Sequence, residues 1–245
     1  MDLLVDVGNT RAKMAVADGM KVVEEMPLSA SAVADVVERY SIHRAIASVV
    51  GAMPDFAHLL PCGLFQKLHL LSAHSPLPIT LAYATPHTLG ADRIASVVGA
   101  RALYPEGSLM VVDAGSCITI DYLDSQHVYH GGSILPGIGM KFRAMNTFTE
   151  KLPLLDSQGG SAPLVGTTTE ESMRSGVLCG TLFELRGFLD AYRSKDASVR
   201  MILTGGDAPL LSSLLGSEAA VNHQLLWRGL SVVLNRLPVT DLNND

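Results

Sequence analysis

Asp6-Val7-Gly8-Asn9-Thr10 is the stretch that decides the fold, because it joins two segments that both have the pattern of strands. The segment before it, Leu3-Leu4-Val5, is a short apolar run, and residues 12–17 alternate between polar and apolar side chains. Both patterns are typical of β-strands, and a glycine among small polar residues is typical of a tight turn. These residues therefore predict a β-hairpin that begins at the N-terminus of the chain.

The same pattern returns in the second half of the chain. Leu109-Met110-Val111-Val112 is an apolar run, Asp113-Ala114-Gly115-Ser116 takes the place of the turn, and residues 117–123 are rich in β-branched side chains. An Asp-x-Gly turn that opens a hairpin in each half suggests a duplicated architecture. We expect two lobes that enclose a cleft.

Helical patterns lie between and after the two hairpins. Because strands alternate with helices, the chain belongs to the α/β class. Pro105-Glu106-Gly107 breaks the chain just before the second hairpin, so we predict an N-terminal domain of residues 1–107 and a C-terminal domain of residues 108–245. The predicted helices span residues 29–40, 91–103, 169–192 and 222–237.

The composition excludes several classes of protein. The chain has 245 residues, of which 48% are hydrophobic, so it can form one large domain or two halves. A net charge of -6 does not suit sequence-independent binding of nucleic acid, which needs clustered Lys and Arg.

The three cysteines are widely spaced, as in reduced intracellular proteins. Prolines break the longest uncharged stretch, residues 68–91, so it does not predict a membrane span. We expect a cytoplasmic protein without nucleic-acid or membrane partners.

Several familiar site signatures are absent from the sequence. There is no Gly-x4-Gly-Lys-Ser/Thr loop, and Gly137-x-Gly139 lacks the third glycine of a dinucleotide fingerprint. His58, Cys62, His69 and His74 are potential metal ligands in a row, but their spacing matches no zinc pattern. Neither a P-loop enzyme nor a Rossmann dehydrogenase is supported, and a metal site at these histidines is disfavoured.

The two Asp-x-Gly turns carry the more informative chemistry. A glycine at the tip of a tight hairpin lets backbone N–H groups approach phosphate oxygens, while Asn9 and Thr10 add side-chain donors without bulk. Asp6 would then lie where a hydrated Mg²⁺ that bridges phosphates needs a carboxylate. The alternative is that Asp and Gly simply form good turns, but the occurrence of two such turns favours phosphate binding. Thr204-Gly205-Gly206-Asp207 is a third glycine turn. It either passes close to a bound nucleotide or is an ordinary turn at the end of a strand.

Six short motifs together resemble those of type III pantothenate kinase, a family of the acetate and sugar kinase, Hsp70 and actin superfamily. They occur in family order and span almost the whole chain, which chance would rarely produce. The motifs are Asp6-Val7-Gly8-Asn9-Thr10, Thr88-Leu89-Gly90-Ala91-Asp92-Arg93, Asp113-Ala114-Gly115-Ser116, Gly132-Ser133-Ile134-Leu135-Pro136-Gly137, Val165-Gly166-Thr167-Thr168-Thr169 and Thr204-Gly205-Gly206-Asp207.

The resemblance implies an α/β fold of two duplicated ribonuclease-H-like lobes, the actin-like ATPase fold, around a central cleft. It implies ATP-dependent phosphorylation of the primary hydroxyl of pantothenate to 4'-phosphopantothenate, the first step of coenzyme A biosynthesis. The implied cofactors are Mg²⁺ with ATP and a monovalent cation, K⁺ or NH₄⁺. The implied partners are ATP, pantothenate and a second copy of the chain in a homodimer.

In this family the first hairpin binds ATP through backbone amides and polar side chains. Ser116 occupies the ATP-contacting position of the second hairpin, where the family more often has threonine. Because the hydroxyl is kept, we expect binding to survive. Asp113 resembles the family's ligand for the monovalent cation. The ATP-binding residues implied by the resemblance are Asp6, Val7, Gly8, Asn9, Thr10, Arg11, Ala12, Lys13 and Ser116.

Gly90-Ala91-Asp92-Arg93 is similar to the family's pantothenate-binding segment, in which Asp92 would be the general base. Phosphoryl transfer through a loose transition state needs an aligned hydroxyl, donors on the phosphates and a carboxylate that accepts the hydroxyl proton. Arg93 supplies a fixed positive charge for the substrate carboxylate or for the transferring phosphoryl group. The substrate-binding residues implied are Tyr83, Gly90, Ala91, Asp92, Arg93 and Thr169.

Each of these residues also has a structural interpretation. An Asp at the start of the predicted helix 91–103 is what capping and the helix dipole favour. Tyr83 could pack near the proline-rich loop, and Thr169 could cap a helix, although a helix N-terminus also presents amides to an anion. His87 lies beside a proline and is more typical of a structural histidine, so it is left out of the predicted site.

Gly176 and Gly180 lie one turn apart on the predicted helix 169–192, where glycine costs roughly 1 kcal/mol relative to alanine. Close packing of another backbone would compensate for this cost. The family is dimeric, so this helix face is a candidate for contact across the dimer. Packing within one subunit explains it equally well.

Two other functions remain open at this stage. A sugar or acetate kinase of the same superfamily would keep both hairpins, but it should not carry the segment Gly90 to Arg93 in this context. A catalytically silent relative could act as a regulator through protein or DNA contacts. The net negative charge of the chain and the presence of Asp6, Asp92 and Asp113 argue against a catalytically silent regulator.

Overall fold

A computed structural model of the chain describes residues 1–156 and 162–238. The chain divides into two compact units, and each unit is assembled from separate segments of sequence. Unit 1 consists of Met1–Pro105, His127–Tyr129 and Gln224–Asp245, and unit 2 consists of Glu106–Gln126 and His130–His223.

The described residues form helices and strands in alternation. The strands are β1 (Asp2–Val7), β2 (Ala12–Asp18), β3 (Lys21–Pro27), β4 (Arg44–Val49), β5 (Leu68–Leu70), β6 (Thr80–Leu81), β7 (Leu109–Ala114), β8 (Cys117–Leu123), β9 (Val128–Pro136), β10 (Arg200–Thr204) and β11 (Ala219–Val221). The α-helices are α1 (Ala30–Arg39), α2 (Phe56–Leu59), α3 (Cys62–Phe65), α4 (Ala91–Leu103), α5 (Ile138–Phe148), α6 (Thr169–Arg174), α7 (Gly180–Arg193), α8 (Ala208–Leu215) and α9 (Leu225–Leu234). Pro86–Thr88 and Gly216–Glu218 form 3₁₀ turns, and Ser175–Cys179 forms a π-helical turn.

The sheet of unit 1 has the strand order β3-β2-β1-β4-β5. β2 is antiparallel to both of its neighbours, β1 and β3, whereas β4 is parallel to β1 and β5 is parallel to β4. The predicted first hairpin is β1 and β2, with Asp6 opposite Lys13 in the register. In this unit β6 also pairs with Val128 and Tyr129, the first two residues of β9.

Unit 2 repeats this order. From one side of its sheet to the other, the strands are β11-β10-β7-β8-β9, so the first strand of the unit is again central and its hairpin partner lies beside it. β7 and β8 are antiparallel, and β10 and β11 continue the sheet in parallel with β7. The shared order confirms the α/β class and the duplication that the two hairpins predicted.

β1 is buried along its whole length because helices cover both faces of the unit 1 sheet. Leu3, Val5 and Val7 point into one apolar cluster that includes Val33 and Val36 of α1. Side chains alternate along a strand, so Asp6 points to the opposite face, on which α4 and α9 pack. A strand buried on both faces is typically a continuous apolar run, and Asp6 is the exception at its end.

The last helix, α9, packs on α4 in unit 1, and this differs from the predicted division at residues 107 and 108. Glycines allow the close approach of the two helices. A Cβ at Gly99 would lie 1.9 Å from the carbonyl oxygen of Leu225, and a Cβ at Gly229 would lie 1.8 Å from that of Ala95. A long-range contact of this kind leaves no local signal in the sequence.

The helix predictions hold with small changes at their ends. The predicted helix 91–103 is α4 without change, and the predicted helix 222–237 is the shorter α9. The predicted helix 169–192 is interrupted by the π-helical turn Ser175–Cys179. Across residues 1–156 and 162–238, none of the helices has the length and apolar character that crossing a bilayer requires.

Candidate active site

The carboxylate of Asp6 lies at the end of β1, beneath the hairpin tip, and is almost completely buried. Its neighbours on the sheet are Lys13, opposite on β2, and Ser48, opposite on β4. The pKa of Asp6 is raised from 3.8 to about 6, chiefly by burial and further by the negative charges of Asp92 and Glu25. The Lys13 ammonium and the Ser48 hydroxyl act in the opposite direction.

One oxygen of this carboxylate, Oδ1, is buried without a hydrogen-bond partner of good geometry, and so is the Ser48 hydroxyl. A buried polar atom without a partner is costly, so such an atom is often completed by a ligand or an ion. A carboxylate oxygen is a suitable ligand for Mg²⁺, which commonly takes one or two carboxylates, several waters and substrate phosphates. The donor set of Asp6 therefore fits the predicted magnesium ion on a nucleotide.

The tip of the first hairpin presents its polar groups to solvent. The Gly8 N–H donates to the carbonyl of Arg11 at 3.0 Å and closes the turn, while the side chains of Asn9, Thr10 and Arg11 are exposed. Behind the tip, a Cβ at Gly51 would lie 2.5 Å from the Gly8 carbonyl oxygen. Gly51 therefore lets the end of β4 support the tip directly, and the N–H groups of Val50 and Gly51 both donate to Val7.

Asp92 lies in the first turn of α4, but Gly90 occupies the N-cap position. The Asp92 Oδ1 atom accepts a hydrogen bond of 2.8 Å from the N–H of Arg93. Burial nevertheless raises the pKa of Asp92, although this hydrogen bond and the charge of Arg93 oppose the shift. The capping interpretation is thus partly right, because the carboxylate does bind a helix amide. A carboxylate with a raised pKa and a fixed orientation is also suited to accept a proton.

Arg93 is only 7% exposed, although it lies beside the helix N-terminus. Its guanidinium lies over the ring of Tyr83 at 6.0 Å, and Tyr83 in turn contacts Tyr129 at 6.1 Å between ring centroids. This stacking places a buried cation next to Asp92. Tyr83 therefore packs against Tyr129 and against Arg93, a predicted site residue.

A cavity of about 470 Å³ opens beside Gly90 and Ala91. Its other walls include Val50, Leu71, His74 and His87. His87, which sequence analysis left out of the site, therefore lines a cavity that the predicted substrate segment also lines. Ser48, Glu25 and Gly51 were missed as well, since each is near Asp6 or Gly8 only through strand pairing.

In unit 2, the second hairpin places Asp113 near the end of β7. Gly205, with a positive φ of 91°, passes so close that a Cβ there would lie 2.4 Å from Asp113 Oδ1. The third glycine turn is therefore directly beside the second hairpin, as the Asp207 N–H also donates to the Ala114 carbonyl at 2.9 Å. On its other side, the Gly137 N–H donates to the Ser116 carbonyl at 3.2 Å.

Thr169 is the first residue of α6 and is exposed. The N-cap is Thr168, whose hydroxyl accepts from the Glu171 N–H, and the Glu171 side chain completes the capping box. The capping interpretation of Thr169 is therefore wrong by one residue. Its side chain is not committed to the cap of this helix.

The histidines considered as metal ligands do not come together. His58 is exposed, and His69 bonds to the Ser75 hydroxyl at 2.8 Å. Within residues 1–156 and 162–238, no group of three or more His, Cys, Asp or Glu side chains is arranged to hold a metal ion.

Comparison with known proteins gives consistent results along nearly the whole chain. A family model described as type III pantothenate kinase matches residues 2–191. The type III pantothenate kinase of Cytophaga hutchinsonii is 36% identical over 235 residues, covering 96% of this chain and 99% of the relative. That of Phocaeicola vulgatus is 37% identical over 239 residues, covering 96% and 98%.

Solved structures agree on the fold. A conserved candidate member of the Baf family of transcriptional activators from Campylobacter jejuni matches with a TM-score of 0.61 at 23% identity, covering 95% of this chain and 97% of that chain. A glucokinase from an Antarctic psychrotroph matches with a TM-score of 0.51 at 14% identity, covering 96% and 99%. At these identities the likeness is one of fold alone, and it confirms the two-lobed architecture expected from the sequence.

The raised pKa of Asp6 predicts a gain of stability when its charge is removed. The folded protein binds this proton more tightly than the unfolded chain, so the free energy of unfolding falls as the pH rises from about 4 to about 6. Asp6→Asn should abolish this dependence and raise the free energy of unfolding at pH 7.5 by on the order of 2 kcal/mol. Urea unfolding across this pH range measures both effects.

The matched control is Asp18→Asn at the exposed end of β2, which should change stability by less than about 0.5 kcal/mol. A lower stability of Asp6→Asn at pH 7.5 would show that the charged carboxylate is satisfied within the protein.

Proposed function

The chain belongs to the type III pantothenate kinase family, and on this basis we propose that Asp92 is the general base of its reaction. The reaction is the ATP-dependent phosphorylation of pantothenate in coenzyme A biosynthesis. The observation that carries the proposal is the Asp92 carboxylate itself, which is oriented by the Arg93 amide and has a raised pKa.

The proposed step is an in-line attack of the primary hydroxyl of pantothenate on the γ-phosphorus of ATP. The hydroxyl proton passes to Asp92, the bond from the γ-phosphorus to the bridging oxygen breaks, and ADP leaves. A carboxylate whose pKa is raised toward neutrality accepts this proton more readily than an ordinary Asp. Arg93 provides a fixed positive charge for the anionic substrates.

We assign binding residues to ATP and to pantothenate from the chemical groups that these residues present. The hairpin residues 6–13 bind the phosphates of ATP through exposed donors, and Asp6 holds the Mg²⁺ that screens the phosphate charge. Tyr83, Gly90, Ala91 and Arg93 bind pantothenate. For unit 2, we propose that Ser116 contacts ATP and Thr169 contacts pantothenate. The exposed, uncommitted side chain of Thr169 supports the latter.

The three cysteines are free, which supports a location in the cytoplasm, where thiols stay reduced. The net negative charge of the chain supports the proposal that it has no nucleic-acid partner.

Replacing the base tests the mechanism. Asp92→Asn should lower kcat by about 10² to 10⁴, because proton acceptance is lost while the shape is kept. The KM for ATP should change little. Release of ADP should be measured for wild type and variant with pantothenate, glucose and acetate as acceptors.

Only pantothenate should support turnover by the wild type. Turnover with glucose or acetate alone would favour a sugar or acetate kinase, and turnover with none would favour a regulator. A fully active Asp92→Asn variant would remove Asp92 as the base while leaving the activity assigned.

We propose that Asp113 contributes to a site for K⁺ or NH₄⁺. The support is the crowding of the Asp113 carboxylate, the Ala114 carbonyl and the Gly205 turn in one place, since oxygen donors bind such ions. Exchange of K⁺ for Na⁺ at constant ionic strength should therefore lower kcat. Asp113→Asn should abolish the difference between the two salts. Equal wild-type rates in both salts would contradict this assignment.

We further propose that the chain forms a homodimer through the face of α7 and the turn before it. A Cβ at Gly176 or Gly180 would meet no atom of residues 1–156 or 162–238 within 4 Å, so packing among these residues does not explain the two glycines. Phe183, one turn further, is 56% exposed. A glycine face with an exposed aromatic residue can accept a second backbone closely.

Phe183→Glu should convert the dimer into a monomer, as measured by light scattering at micromolar concentration. The matched control is Leu214→Glu, a charge placed at another exposed apolar site on a helix of unit 2, which should leave the mass unchanged. A monomeric wild type, or a dimeric Phe183→Glu variant, would contradict the proposed interface.

A further inference from the structure

Lys13 is held in place by two groups that lie outside the first hairpin. Its ammonium is 3.5 Å from Glu25 Oε1 and lies over the ring of Trp227 at 5.4 Å from the ring centroid. The Trp227 Nε1–H donates to the other oxygen of Glu25, Oε2, at 2.9 Å. Lys13, Glu25 and Trp227 therefore form a closed set of three contacts, here named the Lys13 bracket.

The register of the sheet explains why the bracket faces Asp6. Lys13 is directly opposite Asp6 on the neighbouring strand and opposite Pro27 on the other side. Glu25 lies two residues from Pro27, so it points to the same face as Lys13 and is its diagonal neighbour. One face of the sheet thus carries three charged side chains on neighbouring strands: Asp6 on β1, Lys13 on β2 and Glu25 on β3.

Trp227 is the buried member of the bracket. It is 1% exposed and lies on α9, which the glycine contacts at Gly99 and Gly229 lock against α4. Lys13 and Glu25, by contrast, are 44% and 42% exposed. An ion pair exposed to this extent orders its side chains only weakly by itself. A buried indole that bonds one partner and underlies the other restricts both.

We propose that Trp227 is a positioning residue for ATP binding, because it fixes Glu25 and Lys13 so that the Lys13 ammonium is directed toward the phosphate site next to Asp6. This inference rests on the proposed function, in which residues 6–13 bind the phosphates. It extends beyond the segment that defines the family, since Trp227 lies outside the matched residues 2–191.

The test is Trp227→Phe, which keeps an aromatic ring and removes the N–H that holds Glu25. Loss of one hydrogen bond to a charged partner should raise the KM for Mg-ATP by about threefold to tenfold. The kcat and the KM for pantothenate should remain within about twofold of wild type, since Asp92 is untouched.

The matched control is Leu230→Val, which trims a fully buried residue of the same helix outside the bracket. It should lower stability, because it removes a buried methylene group, without changing the KM for ATP. Equal effects of the two variants on that KM would overturn the proposal and leave Trp227 a packing residue. An unchanged KM for ATP in Trp227→Phe would do the same.

If Trp227→Phe does not fold, Glu25→Gln carries the test, because this half-exposed position tolerates the change. The amide keeps an acceptor for the indole but loses the charge that holds Lys13, so the KM for ATP should again rise. An unchanged KM in Glu25→Gln would overturn the proposal. Absence of wild-type turnover with pantothenate would instead refute the proposed function, so the two failures are distinguishable.

Discussion

The burial of the Asp6 carboxylate is the constraint on which the rest of the site depends. A carboxylate placed on the covered face of a sheet, with one oxygen lacking a partner, makes the folded protein less stable than an apolar or neutral residue would. The surroundings limit this cost without removing it, since Lys13 and Ser48 favour the charged form only in part. Such a group is understandable if a cation completes it during function. Asp6 also lies at the end of a central strand, next to the hairpin tip, and the hydrogen-bond donors of that tip are exposed.

Close backbone approach keeps these groups in register. Gly51 lets the end of β4 touch the first hairpin, and Gly205 lets the end of β10 touch the second. In unit 1, Gly99 and Gly229 bring α9 against α4, so the helix that carries Asp92 is fixed by a helix from the far end of the chain. Asp92, which we propose as the base, its neighbour Arg93 and the bracket around Lys13 thereby all lie on one closely packed pair of helices and one sheet.

Local chemistry made much of this predictable from the sequence. The turn residues around Gly8 and Gly115 predicted both hairpins, and the apolar period of residues 91–103 predicted α4 without error. Contacts between distant segments were not predictable. Ser48 lies near Asp6 only through strand register, and Trp227 lies near Lys13 only through helix packing. Nothing near Ser48 or Trp227 in sequence indicates these contacts. Thr169 was a candidate cap of its helix, but the cap is Thr168, because neighbouring threonines are equivalent until the backbone selects one.

The central claim is that buried Asp6 becomes a ligand of the magnesium ion that accompanies the nucleotide. The most direct measurement is the titration of the Asp6 side-chain carboxyl by carbon-13 NMR, in the free protein and with Mg²⁺ and ADP present. We predict a pKa of about 6 in the free protein and a clearly lower pKa when Mg²⁺ and ADP are bound, because a bound cation favours the ionised form. An ordinary pKa in the free protein, or a pKa that Mg²⁺ and ADP leave unchanged, would contradict it.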